Sequence, residues 1–359
     1  MEKENKAAYS RMGGFQMKGT FFLGEGKFEV REMEFSAPGP HQVLIRNKAA
    51  GICGTDVHIY HGGKGSADVT PPVVLGHEYS GVVEAIGENV TAVKVGDCVT
   101  VDPNIYCGKC YHCRKGQKQF CDHMVAVGVN MDGGFAEYSM VPENQVFAMK
   151  KEVGFEAMAM AEPLACCIHG IELVEIKSGD LVTVVGGGAI GLLMVQLAKL
   201  RGAGQVILSE PVAARREIGL QVGADYAIDP LASDPLAQIQ AITGRMGADV
   251  VIECVGKTFA TKQAFDIADR GGRILLFSVP DVDAKFEMPL FDVFKKELKI
   301  CGSFVNPDSH QEAVDLINAG RIQTAPLITH RYPIAKLEEA IHMQMSAESI
   351  KVQIIPEME

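Results

Sequence analysis

The stretch Leu181-Val182-Thr183-Val184-Val185-Gly186-Gly187-Gly188-Ala189-Ile190-Gly191 decides the fold. Its first five residues have the composition of a strand buried on both faces, and AIGLLMVQLAKLRG after the glycines has that of a helix. The frame G-x-G-x-x-G falls on Gly186, Gly188 and Gly191. Gly186 allows the tight turn, Gly188 lets a diphosphate approach the backbone, and Gly191 lets the helix pack closely on the strand. The helix N-terminus adds amide donors and a partial positive charge. Glu210 closes the next strand-like run, QVILSE, 19 residues past Gly191. An acid there accepts hydrogen bonds from a ribose diol and repels a 2′-phosphate, which points to NAD in preference to NADP. Arg215 and Arg216 follow closely, and either could stack on adenine or neutralise a 2′-phosphate. A ligand-free glycine turn would need neither the strand, the helix nor the terminal acid, and all three are present.

Working outward, strand-like and helix-like segments alternate from Asp180: LVTVVG, AIGLLMVQLAKLRG, QVILSE, AARREIGLQVG, ADYAID, then DVVIECVG, GGRILLFSV and LKICGSF. Six strands with helices between them predict a doubly wound parallel sheet covered on both faces. Phe21 to about Met149 reads differently, as short alternating runs such as HQVLIRNKAA, SGVVEAIG, VGDCVTVD and GFAEYSMV among glycines, the pattern of a compact β domain. Between the two lies FEAMAMAEPLACCIHGIELV, helical in composition and expected to break at Pro163. The closing HQEAVDLINAG, PLITHRY, LEEAIHMQ and IKVQII are too short for a domain and are expected to fold back onto the first half. Residues 1–16 are polar and aperiodic, a ragged extension.

The 359 residues carry 34 basic and 45 acidic side chains, a net charge of −11, which disfavours a nonspecific binder of nucleic acid. With no apolar run long enough for a membrane helix and no apolar signal core, the chain is expected to be soluble and cytoplasmic, with no membrane partner. Ten cysteines in a reducing compartment then call for metal, chemistry or packing rather than disulfides. Cys107, Cys110, Cys113 and Cys121 fall within 15 residues, a spacing that suits a closed tetrahedral zinc stapling a loop. A disulfide pair and a nucleic-acid zinc ribbon are the alternatives, disfavoured by compartment and charge. The remaining Cys98, Cys166, Cys167, Cys254 and Cys301 sit in apolar patterns and read as small buried hydrophobes.

A second group is dispersed: Cys53 in GICGTDVH, His77 and Glu78 in VLGHEYSG, and Glu162 in MAEPLACC. One thiolate, one imidazole and a carboxylate would make an open zinc site with a fourth position for substrate. Spacing alone does not assign ligands so far apart.

These motifs, in this order, resemble the zinc-containing medium-chain dehydrogenases, and their polyol branch in particular, from about Met17 to Ile355. The resemblance rests on GICGTDVH, GHEYSG, VGDCV, the four-cysteine lobe, AEP at 161–163, GGGAIG and PLITHRYP at 326–333. It implies an α/β chain: a GroES-like β domain over 17–164 with 304–359, and a Rossmann domain with a six-stranded doubly wound parallel sheet over 165–303, with the active site in the cleft between them. It places a catalytic zinc on Cys53 and His77 with Glu78 or Glu162, and a structural zinc on the four-cysteine lobe. Asp56 would orient the histidine ligand, and Thr55 and His58 would relay a proton. Ile190, Glu210 and Arg215 match cofactor-contact positions, and the backbone near Val279 and Ser303 would face the nicotinamide. A homotetramer or homodimer is also implied.

The activity implied is NAD-dependent oxidation of a secondary alcohol, a sugar alcohol of five or six carbons, to the ketone. CGTDVHIY is equally similar to threonine 3-dehydrogenases, and a simple diol is a further alternative. Gly302-Ser303-Phe304-Val305-Asn306-Pro307 departs from the Phe-Arg-Tyr stretch of animal polyol enzymes, so their substrate-binding arginine is missing. A non-enzymatic, zinc-stabilised relative is the alternative from another class; it would have no reason to keep the dispersed ligands and relay together.

Overall fold

The computed structural model describes residues 17–63 and 65–358, so the extension expected over 1–16 lies outside the described residues. The described chain divides into two compact units, one reaching residue 162 and resuming over 310–321 and from 328, the other of 163–309 and 322–327.

In the second unit, six strands run in the order Tyr226–Ile228, Gln205–Ser209, Leu181–Val185, Ala248–Glu253, Ala268–Leu276, Lys299–Gly302. Every pairing is parallel. Numbered within the sheet, the order is 3-2-1-4-5-6, the doubly wound arrangement, with its switch point beside Leu181–Val185. Leu181–Val185 is buried at all five positions and Gln205–Ser209 at four, which is why both read as unbroken apolar runs rather than alternating ones. Helices such as Ala189–Leu200 and Thr258–Ile267 provide the crossovers.

The first unit is built on a seven-stranded sheet. Its order is Val146–Ala148, Cys98–Val101, Glu78–Ile86, Gln42–Gly51, Lys351–Ile354, Ile328–Tyr332, with Tyr138–Pro142 also paired to Gln42–Gly51. Glu78–Ile86 alternates buried and half-buried residues along its second half, the period of an antiparallel strand with one face on the core. The core packs Val43, Ile45, Ile52, Leu75, Tyr79 and Phe135 against Leu337, Ile341 and Val352. The closing segment does fold back: Gln353 and Ile354 pair antiparallel with Gly51 and Ala50.

Pro163 does not break its helix. The chain forms Phe155–Met158, interrupts at Ala159 and Met160, and restarts as Ala161–Glu172 with Pro163 in the first turn. There the missing N–H has no intrahelical partner to lose and the ring meets no preceding carbonyl, so proline is tolerated. Among the described residues, no helix is long and apolar enough to cross a membrane.

Candidate metal and dinucleotide sites

In the first unit, the strand Gln42–Gly51 ends just before Ile52, and Cys53 caps the helix Gly54–Tyr60. Asp56, fully buried three residues on, accepts the Cys53 backbone N–H through Oδ2 at 2.8 Å. This fills one of the amides left open at a helix start, and so fixes the turn that carries the thiol. The other oxygen, Oδ1, lies 3.5 Å from Nδ1 of His77. Burial alone would lower the pKa of His77, but Asp56 and Cys53 outweigh it and raise it well above the ordinary value. Anionic neighbours that favour a proton on this imidazole would equally favour a metal cation.

Glu78 opens the strand Glu78–Ile86 directly opposite Gly51. Cys53, His77 and Glu78 offer ligand atoms all within 4.8 Å of one another. A thiol, an imidazole and a carboxylate, with Nδ1 of His77 turned to Asp56 and Nε2 left over, suit zinc with one position to spare. Glu162, buried in the first turn of Ala161–Glu172, is outside that group. Thr55 and His58 are half-buried and stand three residues apart on Gly54–Tyr60, close to one face.

The cysteine lobe makes a second group: the Sγ atoms of Cys107, Cys110, Cys113 and Cys121 also lie within 4.8 Å of one another. Backbone amides aim at the sulfurs, Cys107 N–H to Cys121 at 3.3 Å, Cys110 N–H to Cys107 at 3.3 Å and His123 N–H to Cys121 at 3.4 Å. The amides of Lys109 and Cys110 draw Cys107 down to about 6, whereas desolvation and the neighbouring sulfurs push Cys113 up to about 12. Four sulfurs this close resist ionising together unless a cation joins them, so the lobe fits a metal. All ten cysteines are free, which removes the disulfide alternative. Of the five read as packing residues, Cys98 and Cys167 are buried, while Cys166, Cys254 and Cys301 are half-buried.

In the second unit, the glycine turn has the geometry a dinucleotide needs. Gly186 has φ +102°, a conformation L side chains rarely adopt, and a Cβ on it would stand 2.7 Å from Val255. A Cβ on Gly191 would collide with the Gly186 carbonyl, whereas one on Gly188 would meet nothing within 4 Å. Gly188 is the N-cap of Ala189–Leu200, so no side chain shields the first amides there, and Ile190 is half-buried beside it. Glu210 accepts Gly187 N–H at 2.6 Å and Val212 N–H at 2.9 Å. Each oxygen keeps a lone pair for a ribose hydroxyl. Arg216 spends its guanidinium on the carbonyls of Glu210 and Pro211, both at 2.7 Å, and on Asp229, while Arg215 stands beside it in the first turn of the helix Ala213–Gln221.

Val279 and Ser303 follow the ends of Ala268–Leu276 and Lys299–Gly302, and with the glycine turn and Glu210 they line the carboxyl edge of the sheet, where such folds bind ligands. Two groups escaped the sequence reading. Glu253, buried, accepts Val255 N–H at 2.6 Å and Gly256 N–H at 2.8 Å and shapes the adjoining loop. Lys351, buried, donates to the Ile52 carbonyl at 3.0 Å and pairs with Glu78. A lone charge inside the apolar run IKVQII was the available signal for it.

A cysteine–histidine–carboxylate cluster on a β domain, carried in one chain with a doubly wound dinucleotide fold, defines a metal-dependent nicotinamide dehydrogenase. The alcohol dehydrogenase GroES-like domain family matches residues 39–151, and the zinc-binding dehydrogenase family matches residues 189–319. The chain is 38% identical over 340 residues to a sorbitol dehydrogenase of Halalkalibacterium halodurans, covering 93% of this chain and 97% of that one. It is 35% identical over 332 residues to an L-threonine 3-dehydrogenase of Caldanaerobacter subterraneus subsp. tengcongensis, covering 91% and 95%. A zinc-binding dehydrogenase of Sinorhizobium meliloti 1021, solved with NADP, superposes with a TM-score of 0.90 at 40% identity, covering 96% of this chain and all of that one. The chain belongs to the zinc-containing medium-chain dehydrogenase family, as an alcohol dehydrogenase that acts on CH–OH groups.

Proposed function

We propose that the chain oxidises the secondary alcohol of a five- or six-carbon polyol to a ketone, with NAD as acceptor and two zinc ions per chain. The observation that carries this reading is the convergence of Cys53, His77 and Glu78 within 4.8 Å, with Asp56 behind the imidazole. When bound, zinc supplies a Lewis acid for the alcohol oxygen and the nicotinamide supplies a hydride acceptor. The residues do the rest. Cys53, His77 and one of the two glutamates hold the metal and leave a position for the substrate. Asp56 keeps the His77 proton on Nδ1 so that Nε2 is the ligand atom. Thr55 accepts the alcohol proton at its hydroxyl oxygen as it gives up its own, and His58 passes one proton on to solvent. Gly188 and the amides behind it hold the diphosphate, and Glu210 holds the ribose.

The polyol is favoured by the 38% identity to a sorbitol dehydrogenase and by AEP and PLITHRYP; the 35% identity to a threonine dehydrogenase supports the second reading, L-threonine. NAD is favoured by the Glu210 carboxylate and by the commitment of Arg216 elsewhere, against the NADP in the Sinorhizobium relative. A homodimer or homotetramer is supported by the exposed Leu290, Phe291 and Phe294, just ahead of the edge strand Lys299–Gly302. The deciding experiment is a turnover panel of pentitols, hexitols, L-threonine and 2,3-butanediol with each cofactor, beside Cys53→Ala. Polyol turnover with NAD, absent in the variant, is expected; a fully active Cys53→Ala would overturn the site, and threonine turnover alone the substrate.

A further inference from the structure

Lys351 is the one described cation buried against the Cys53–His77–Glu78 group, and neither the relay nor the ligand set uses it. How it gets there is a matter of sheet register. Gly51 sits in the middle of three adjacent strands, opposite Glu78 on one side and Gln353 on the other. Lys351 is two residues from Gln353 and shares its face. A Cβ on Gly51 would collide with the Glu78 carboxylate and stand 2.8 Å from Lys351 Cε. The absent side chain therefore opens the passage through which the ammonium crosses one strand to reach Oε2 of Glu78. From there it also donates to the carbonyl of Ile52, the residue before Cys53. Its remaining electrostatic partners are Cys53 and Glu162.

A buried ion pair adds little net stability, since desolvating two charges offsets most of their attraction. Its position is more informative. A carboxylate next to a metal can bind through one oxygen or two, and the second would add a fifth donor that crowds the position a substrate needs. We propose that Lys351 is a positioning residue: it occupies Oε2 of Glu78, leaves that carboxylate one oxygen for the metal, and so keeps the coordination site open. This rests on the reading of Cys53, His77 and Glu78 as a metal centre.

Cobalt(II) exchanged into the protein tests it, because four-coordinate cobalt absorbs much more strongly in the visible than five- or six-coordinate cobalt. Difference spectra against Cys53→Ala subtract the cysteine lobe. Lys351→Met should weaken the visible band several-fold and, by removing a buried cation and freeing a second oxygen, raise cobalt affinity, measured by chelator competition. The double variant Lys351→Met/Glu78→Gln should regain the parental band, since a carboxamide offers the metal a single oxygen. A parental band and affinity in Lys351→Met would overturn the proposal, as would a weak band that Glu78→Gln fails to restore. If Lys351→Met does not fold, the double variant, which removes both buried charges together, decides alone: a parental band supports the proposal and a weak one overturns it. Failure of the metal-centre reading looks different, with parent and Cys53→Ala giving the same cobalt spectrum.

Discussion

Asp56 and His77 face each other at 3.5 Å, Oδ1 to Nδ1, while the second oxygen of the same carboxylate holds the backbone of Cys53 at 2.8 Å. One acid thus sets the ring of one proposed ligand and the turn that carries another. Asp56→Asn keeps the size and one oxygen for the Cys53 amide, but turns an NH2 group towards Nδ1. The proton on His77 then moves to Nε2, the atom the metal needs. Zinc affinity and kcat/KM are each expected to fall about 10- to 100-fold while the fold is retained, measured by chelator competition and steady-state kinetics.

The cysteine lobe should behave oppositely. A closed set of four sulfurs leaves no place for substrate, so Cys110→Ser is expected to reduce zinc from two ions per chain to one and to lower the unfolding temperature. Exposed Lys109 and Lys115 should become early trypsin sites. The protein that survives should still turn over; loss of turnover at full thermal stability would contradict the structural role.

On the proposed reading, cofactor choice turns on Glu210. Glu210→Gln keeps the size and one acceptor for the Gly187 or Val212 N–H, turns an NH2 towards the other, and removes the charge proposed to meet the ribose. A hydrogen bond to a charged group contributes about 1.5–3 kcal/mol, so the ratio of kcat/KM for NAD over NADP should fall at least about tenfold. An unchanged ratio would assign the discrimination to Arg215 or elsewhere.

His310 makes the fold sensitive to acid. Burial against the ring of Phe147, with neither ring nitrogen hydrogen-bonded, pushes its pKa down from 6.5 to about 3. Between those values the unfolded chain holds a proton that the folded chain refuses. Stability from this group is therefore complete above about pH 6.5 and is lost as pH falls, by about 1.4 kcal/mol per pH unit. His310→Phe should flatten that acid limb, read as the pH dependence of urea unfolding for variant against parent, with little change at pH 8.

Much of this was legible in the sequence because the information is local. The glycine turn, the buried strand before it and Glu210 lie within 30 residues, and their chemistry follows from spacing. So does the cysteine lobe. Cys53, His77 and Glu78 were not assignable by spacing, since sheet register brings them together, and only likeness to a family selected them. Pro163 was read as a helix breaker because local pattern does not say where a first turn begins. Lys351 escaped altogether: its role depends on a missing side chain at Gly51, and on a hydrogen bond to the Ile52 carbonyl 299 residues away.

That separation has a consequence for how the protein is made. During synthesis the thiol, imidazole and carboxylates of the cluster leave the ribosome long before their buried counter-ion does. Until the strand Lys351–Ile354 pairs with Gln42–Gly51, the cluster would lack that buried cation and would admit divalent ions less selectively. Selectivity among metals would then be settled only once Lys351 pairs with Glu78 and disfavours an ion that requires both of its oxygens.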